Sequence, residues 1–142
     1  VEMVKGFEYV VLNAYKHDSQ TIMLKKIIEK YQNFNKKIAV ITSTSGTSAG
    51  EDENFNNPEY VEYCQHKKNL IDCISNAQQE LIKEPLSIFD ICPDVVDTEM
   101  TEGMWEHWPK LEAKSVAEAV WYCFDSQPKF NINKLVLQKN AI

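Results

Sequence analysis

The chain has 142 residues, 44% of them hydrophobic and 25% charged, ordinary proportions for one globular domain with a buried core. Its formal net charge is −6, and it carries no lysine–arginine block or basic stripe with interleaved aromatics, so nucleic acid is not expected as a partner. The longest apolar run, Ala117 to Phe124 broken by Glu118, is too short to span a bilayer, and there is no secretory signal pattern, so no membrane partner is expected.

In chain order, Gly6 to Tyr31 reads as a helix, with Leu24, Ile27, Ile28 and Tyr31 at helical spacing. Ile38 to Thr42, "IAVIT", is a continuous apolar run rich in β-branched residues, the pattern of a strand buried on both faces. A Ser/Thr/Gly/Asn-rich loop follows. Asn57-Pro58 then starts a second helix, a cap residue followed by proline at the first helical position, with Leu70, Ile74, Ala77 and Leu81 as its apolar stripe. Ser87 to Cys92 is a second strand, stopped by Pro93. Asp94 to Leu111 is irregular and carries Met100, Met104, Trp105 and Trp108. Ser115, with Glu118 three residues on, reads as a capping box opening a third helix, and Asn133 to Gln138 as a last strand. Strands alternating with helices predict an α/β domain whose three parallel strands are joined by crossover helices.

The four cysteines, at 64, 73, 92 and 123, form no C-x-x-C pair, and the expectation is reduced, mostly buried thiols in a reducing, cytoplasmic setting. His17, His66 and His107 share no spacing that would hold a metal, and none is expected.

Tyr63 and Lys67 lie four apart at the start of the second predicted helix, so they share a face one turn apart. Such pairs arise by chance on many helices. Here, however, the helix follows a strand ending at Ser43 and precedes one ending at Pro93, and ligands bind parallel sheets beyond the carboxyl ends of their strands. A tyrosine with an ordinary pKa near ~10 is a poor catalyst at neutral pH. A nearby ammonium would lower that value, and Ser43 could donate to a substrate oxygen as charge develops there. A proton exchanged with an oxygen calls for a companion hydride carrier, a nicotinamide cofactor.

These segments resemble the C-terminal part of the short-chain dehydrogenase/reductase family. "IAVITSTSG" is similar to the family's strand bearing the catalytic serine three residues before a glycine, which selects Ser43. "YCQHKKNL" resembles its Y-C-A-S-K-x-A-L segment, which assigns Tyr63 as general acid/base and Lys67 as its partner and ribose ligand. "ICPDVVDTEM" resembles the P-G-x-V-x-T loop at the nicotinamide, making Pro93, Val96 and Thr98 cofactor contacts. The stretch from Leu111 to Gln138 is similar to the family's closing segment, and its subgroup resemblance is to farnesol-dehydrogenase-like carbonyl reductases. Asn13, in the opening helix, falls where the family keeps an asparagine that holds a proton-relay water. The resemblance implies a partial Rossmann-type domain over residues 1–142, NADP or NAD as cofactor, and a small alcohol or carbonyl as substrate. It also implies a homodimer through helices 7–30 and 59–82.

The chain departs from the family pattern in several places. The glycine-rich T-G-x-x-x-G-x-G turn, the first strands and the N-N-A-G strand are expected upstream of Val1, in a longer parent chain. "GTSAG" is no substitute, because Glu51, Asp52 and Glu53 follow it and would repel a pyrophosphate. Asp94 replaces the usual glycine, Gln65-His66 replace a small pair, and Glu51 to Asn57 reads as an insertion. Tyr60 is a rival tyrosine, but Cys64 rather than lysine lies four residues on. Two functions follow as expectations: an alcohol/carbonyl oxidoreductase, inactive without the missing nucleotide half, or a truncated relative with a structural, dimerising role.

Overall fold

The computed structural model describes residues 1–47, 56–125 and 130–140. Four parallel strands, β1 (Tyr9–Leu12), β2 (Lys37–Ile41), β3 (Ser87–Pro93) and β4 (Lys134–Leu137), form one sheet in the order β1-β2-β3-β4. Three α-helices connect them: α1 (Ser19–Tyr31), α2 (Pro58–Glu80) and α3 (Ala113–Asp125). No helix of the described residues is long and apolar enough to cross a membrane.

The strand run reads as continuous because both faces of the sheet are covered. Ile38 and Val40 of β2 point into the layer of α1 and α2, packing with Leu24, Ile27, Leu70 and Ile74. Ala39, between them, points the other way, into the layer of α3 with Phe89, Ile91, Val120 and Phe124. Side chains alternate across a strand, so a strand buried on both faces must be apolar at every position.

Two expectations are corrected. Residues from Gly6 do not open a helix: Tyr9 to Leu12 pair in register with Lys37 to Val40, and the helix begins only at Ser19. Tyr-Val-Val-Leu is strongly β-favouring, and pairing along β2 outweighs a helical spacing that genuinely belongs to Leu24 to Tyr31 alone. The sheet therefore has four strands rather than three. Likewise α3 begins at Ala113, which places Ser115 inside the helix instead of at its cap. The Asn57 cap is as expected, its side chain accepting from Glu59 N at 3.0 Å. No disulfide joins the four cysteines, and Cys73 is only partly buried.

Lys36, absent from any sequence expectation, is buried at the head of β2. Its ammonium donates to the carbonyls of Val4, Lys5 and Phe7 at 3.1, 3.2 and 2.6 Å and lies 5.1 Å from the Tyr31 ring centroid. Charge-assisted bonds of this kind pin the N-terminal segment against β2 and α1. Lys36→Met, which keeps the aliphatic stem, is expected to lower the unfolding free energy by about 2 kcal/mol. Amide exchange at residues 1–8 should accelerate along with the shift of the urea midpoint.

Candidate active site

β2 and β3 end side by side, with Ile41 opposite Ile91. The chain leaves β2 through Thr42, whose backbone N donates to Ile91 O at 2.8 Å and whose Oγ1 donates to the buried Asp90 at 2.5 Å. Lys134 of β4 lies 3.6 Å from the same carboxylate. Burial pushes the Asp90 carboxyl up, against the opposing hydrogen bond from Thr42 and the charge of Lys134. Ser43 then caps a single 3₁₀ turn, Thr44–Gly46, accepting from Ser45 N at 3.1 Å. Gly46 lies flat against α2: a Cβ there would sit 2.9 Å from both Lys67 C and Lys68 N. The missing side chain is what lets the turn touch the helix backbone and brings Ser43 to Tyr63.

Tyr63 shares a side-chain hydrogen bond with Ser43. Its ring is stacked on that of Tyr60 at 6.2 Å and meets Tyr15 edge-on at 4.8 Å. Tyr60, the rival, is itself buried and donates to Ser45 Oγ at 2.9 Å. Trp105 packs edge-on against Tyr60 at 5.4 Å.

Lys67 is buried, and its ammonium donates to Gln20 Oε1 at 2.8 Å and to Ile41 O at 2.9 Å. It lies 5.6 Å from the Tyr63 ring centroid and 5.7 Å from that of Tyr15. Gln20 in turn donates to Leu12 O at 2.9 Å and Ile41 O at 3.1 Å, tying the ends of β1 and β2 to the lysine. Nothing local in the sequence marks Gln20, since its partners are 8 to 47 residues away. Asn13, by contrast, is exposed and follows a strand, so the expected helical position for it does not exist.

The expected lowering of the Tyr63 pKa is not observed. Burial pushes the phenol up, and the Ser43 hydrogen bond opposes this. Lys67 itself is lowered from 10.5 to about 8, chiefly by desolvation, with Cys92 and Asp90 acting the other way. Between about pH 8 and 10.5 the unfolded chain binds more protons than the folded one, so Lys67 makes stability rise with pH across that window. Relative to Lys67→Met, the native protein is expected to gain roughly 2–3 kcal/mol there. Urea unfolding of the two proteins at pH 7.5 and 10.5 checks it, and parallel pH profiles would show that Lys67 is not desolvated.

Pro93 ends β3 and is buried. Asp94, expected to intrude on a nicotinamide path, has both oxygens engaged: it accepts from Thr44 Oγ1 at 2.9 Å and from Trp108 Nε1 at 2.8 Å. Val96 bridges to Leu111 and accepts from Thr101 Oγ1 at 2.6 Å, while Thr98 is exposed at the start of the next 3₁₀ turn. Ser43, Tyr63, Lys67 and Pro93 are thus brought to one edge; Val96 and Thr98 lie further along the connection toward α3. Residues 51–55 of the proposed insertion at Glu51 to Asn57, and residues 48–50 of the GTSAG segment, lie outside the described residues.

His17 and His66 both meet Glu62, at 3.2 and 3.3 Å.

No family model matches the sequence. An uncharacterized oxidoreductase of Staphylococcus epidermidis is 34% identical over 73 residues, half of this chain but only 32% of the relative's own length. A short-chain dehydrogenase/reductase from Vibrio parahaemolyticus superimposes with a TM-score of 0.70 at 14% identity, covering 97% of this chain and 71% of that one. A short-chain dehydrogenase from Burkholderia cenocepacia in complex with NADP gives 0.72 at 15% identity, covering 97% and 62%. Over nearly all of its length, this chain has the fold of the short-chain dehydrogenases and reductases.

Proposed function

We propose that this protein is a nicotinamide-dependent oxidoreductase of the short-chain class, interconverting an alcohol and a carbonyl. The observation that carries the reading is the grouping of Tyr63, its hydrogen-bond partner Ser43 and the buried Lys67 at the carboxyl edge of a parallel sheet. The Staphylococcus relative's description as an oxidoreductase and the NADP held by the Burkholderia neighbour support it.

The residues present fit the nicotinamide–ribose half of NADP or NAD. Lys67 uses two of its three N–H bonds on Gln20 and Ile41, which leaves one to donate to a ribose hydroxyl. Pro93, Val96 and Thr98 are the proposed neighbours of the nicotinamide. Bound there, the cofactor supplies the hydride. Ser43 donates to the substrate oxygen and orients it. Tyr63 gives that oxygen its proton, and the Lys67 ammonium, 5.6 Å from its ring centroid, favours the phenolate left behind. Gln20 positions Lys67. In place of the expected role for Asn13, Gln20 is the side chain that joins the lysine to the strand ends.

A homodimer through α1 and α2 accompanies this reading. The groove between those helices carries Ile22, Ile28, Cys73 and Ala77 between charged rims, and Ile22 is exposed. The first helix of that pair begins at Ser19, not at residue 7.

Titration with NADPH and NADH, followed by cofactor fluorescence, tests the enzymatic reading. Saturable binding that weakens at least ~10-fold in Lys67→Ala is expected, equivalent to about one lost hydrogen bond to a charged group. No binding at millimolar cofactor overturns it for this chain and leaves the dimerising, non-catalytic alternative.

A further inference from the structure

We infer that His17, Glu62 and His66 form a binding site for one divalent transition-metal ion of the zinc class. The inference does not rest on the proposed oxidoreductase activity. Glu62 and His66 are four residues apart on α2 and so share one face, a turn apart. His17 reaches them from the connection between β1 and α1, where its backbone is held at φ +50°. Three donors thus come from two separate elements, one of them a 23-residue helix.

The separations fit a metal better than they fit hydrogen bonds. His17 Nδ1 lies 3.2 Å and His66 Nε2 3.3 Å from the same oxygen, Glu62 Oε1, at or beyond the long end of the usual N–H···O range. In a tetrahedral site with bonds of ~2.0–2.1 Å, ligand atoms are roughly 3.3 Å apart. Two edges of the triangle already have that length. All three donor atoms lie within 4.8 Å of one another, so rotation of the His17 side chain closes the third.

Chemistry narrows the ion. Two imidazoles and one carboxylate suit Zn²⁺, Co²⁺, Ni²⁺ or Cu²⁺, whereas Mg²⁺ and Ca²⁺ favour oxygen ligands throughout. Glu62 supplies the anionic oxygen ligand between the two imidazoles. His17 and Glu62 are exposed, giving an ion a path in and leaving its remaining positions to water. His66 Nδ1 sets the strength: it is buried with no hydrogen-bond partner among the described residues. Coordination through Nε2 moves the ring proton to Nδ1, where none of the described residues accepts it. Sites lacking such outer-shell support bind on the order of 10–100-fold more weakly than supported ones, so a moderate affinity is expected.

Tag-free, metal-stripped protein would be titrated with Co²⁺, read by its visible d–d absorption, and then with Zn²⁺ by calorimetry. One equivalent of each is expected to bind, with Zn²⁺ displacing the Co²⁺ band, and Mg²⁺ is expected to have no effect. His17→Asn, which tolerates positive φ, and Glu62→Gln should each weaken binding at least 10-fold, and His107→Asn should change nothing. His17→Asn alters an exposed side chain, and an unchanged thermal melt would confirm that it folds. No cobalt band at millimolar metal, or binding undiminished in His17→Asn, overturns the site.

Discussion

Gly46→Ala is expected to destabilise the protein by about 3 kcal/mol, near the upper end for overpacking a tight contact. The added methyl would sit 2.9 Å from Lys67 C and Lys68 N, and 2.8 Å from Ile71 Cδ1. The Ile71 terminus can rotate away, but the α2 backbone cannot. Either the 3₁₀ turn or the helix must move, and Ser43 moves with the turn. Urea unfolding should therefore show a lower midpoint at unchanged slope. Gly6→Ala is the matched control, because nothing lies within 4 Å of a Cβ there, and its stability should stay within about 0.5 kcal/mol. Equal stabilities for both variants would mean that the turn and the helix are not in backbone contact.

In a protein that also carries a nucleotide-binding half, Tyr63→Phe is expected to reduce turnover of aldehydes and ketones about 10³-fold, in the range that positioned proton transfer contributes. Cofactor affinity should change less than ~3-fold, because Lys67 keeps its bonds to Gln20 and Ile41. Tyr60→Phe is the informative comparison. Its hydroxyl is committed to Ser45 Oγ at 2.9 Å, so its loss should leave turnover within a few-fold of native. If Tyr60→Phe is the crippled variant, the proton donor has been misassigned. If both retain turnover, the acid–base role falls entirely.

The pair at 63 and 67 was readable because it is local: four residues on a helix always share a face, whatever the rest of the chain does. β2 was readable because burial on both faces forces an unbroken apolar run, and Asn57-Pro58 because helix starts use their own neighbours. Tyr9 to Leu12 was misread because its structure depends on a partner, β2, almost 30 residues away. The sign of the Tyr63 shift was likewise beyond local reasoning. Spacing places an ammonium near the phenol, but the direction the lysine takes depends on Gln20 and on the carbonyl of Ile41.

The sequence alone therefore determined which segments are strand or helix wherever periodicity and caps suffice, and which polar residues sit at strand ends. Tertiary structure decided what those residues touch. It made Gln20 the companion of Lys67, engaged Asp94 with Thr44 and Trp108, and gathered two histidines 49 residues apart around Glu62. Each of these depends on contacts between elements distant in the chain. A local pattern reports the geometry of one helix or strand, and only the packing of several decides which buried donor meets which acceptor.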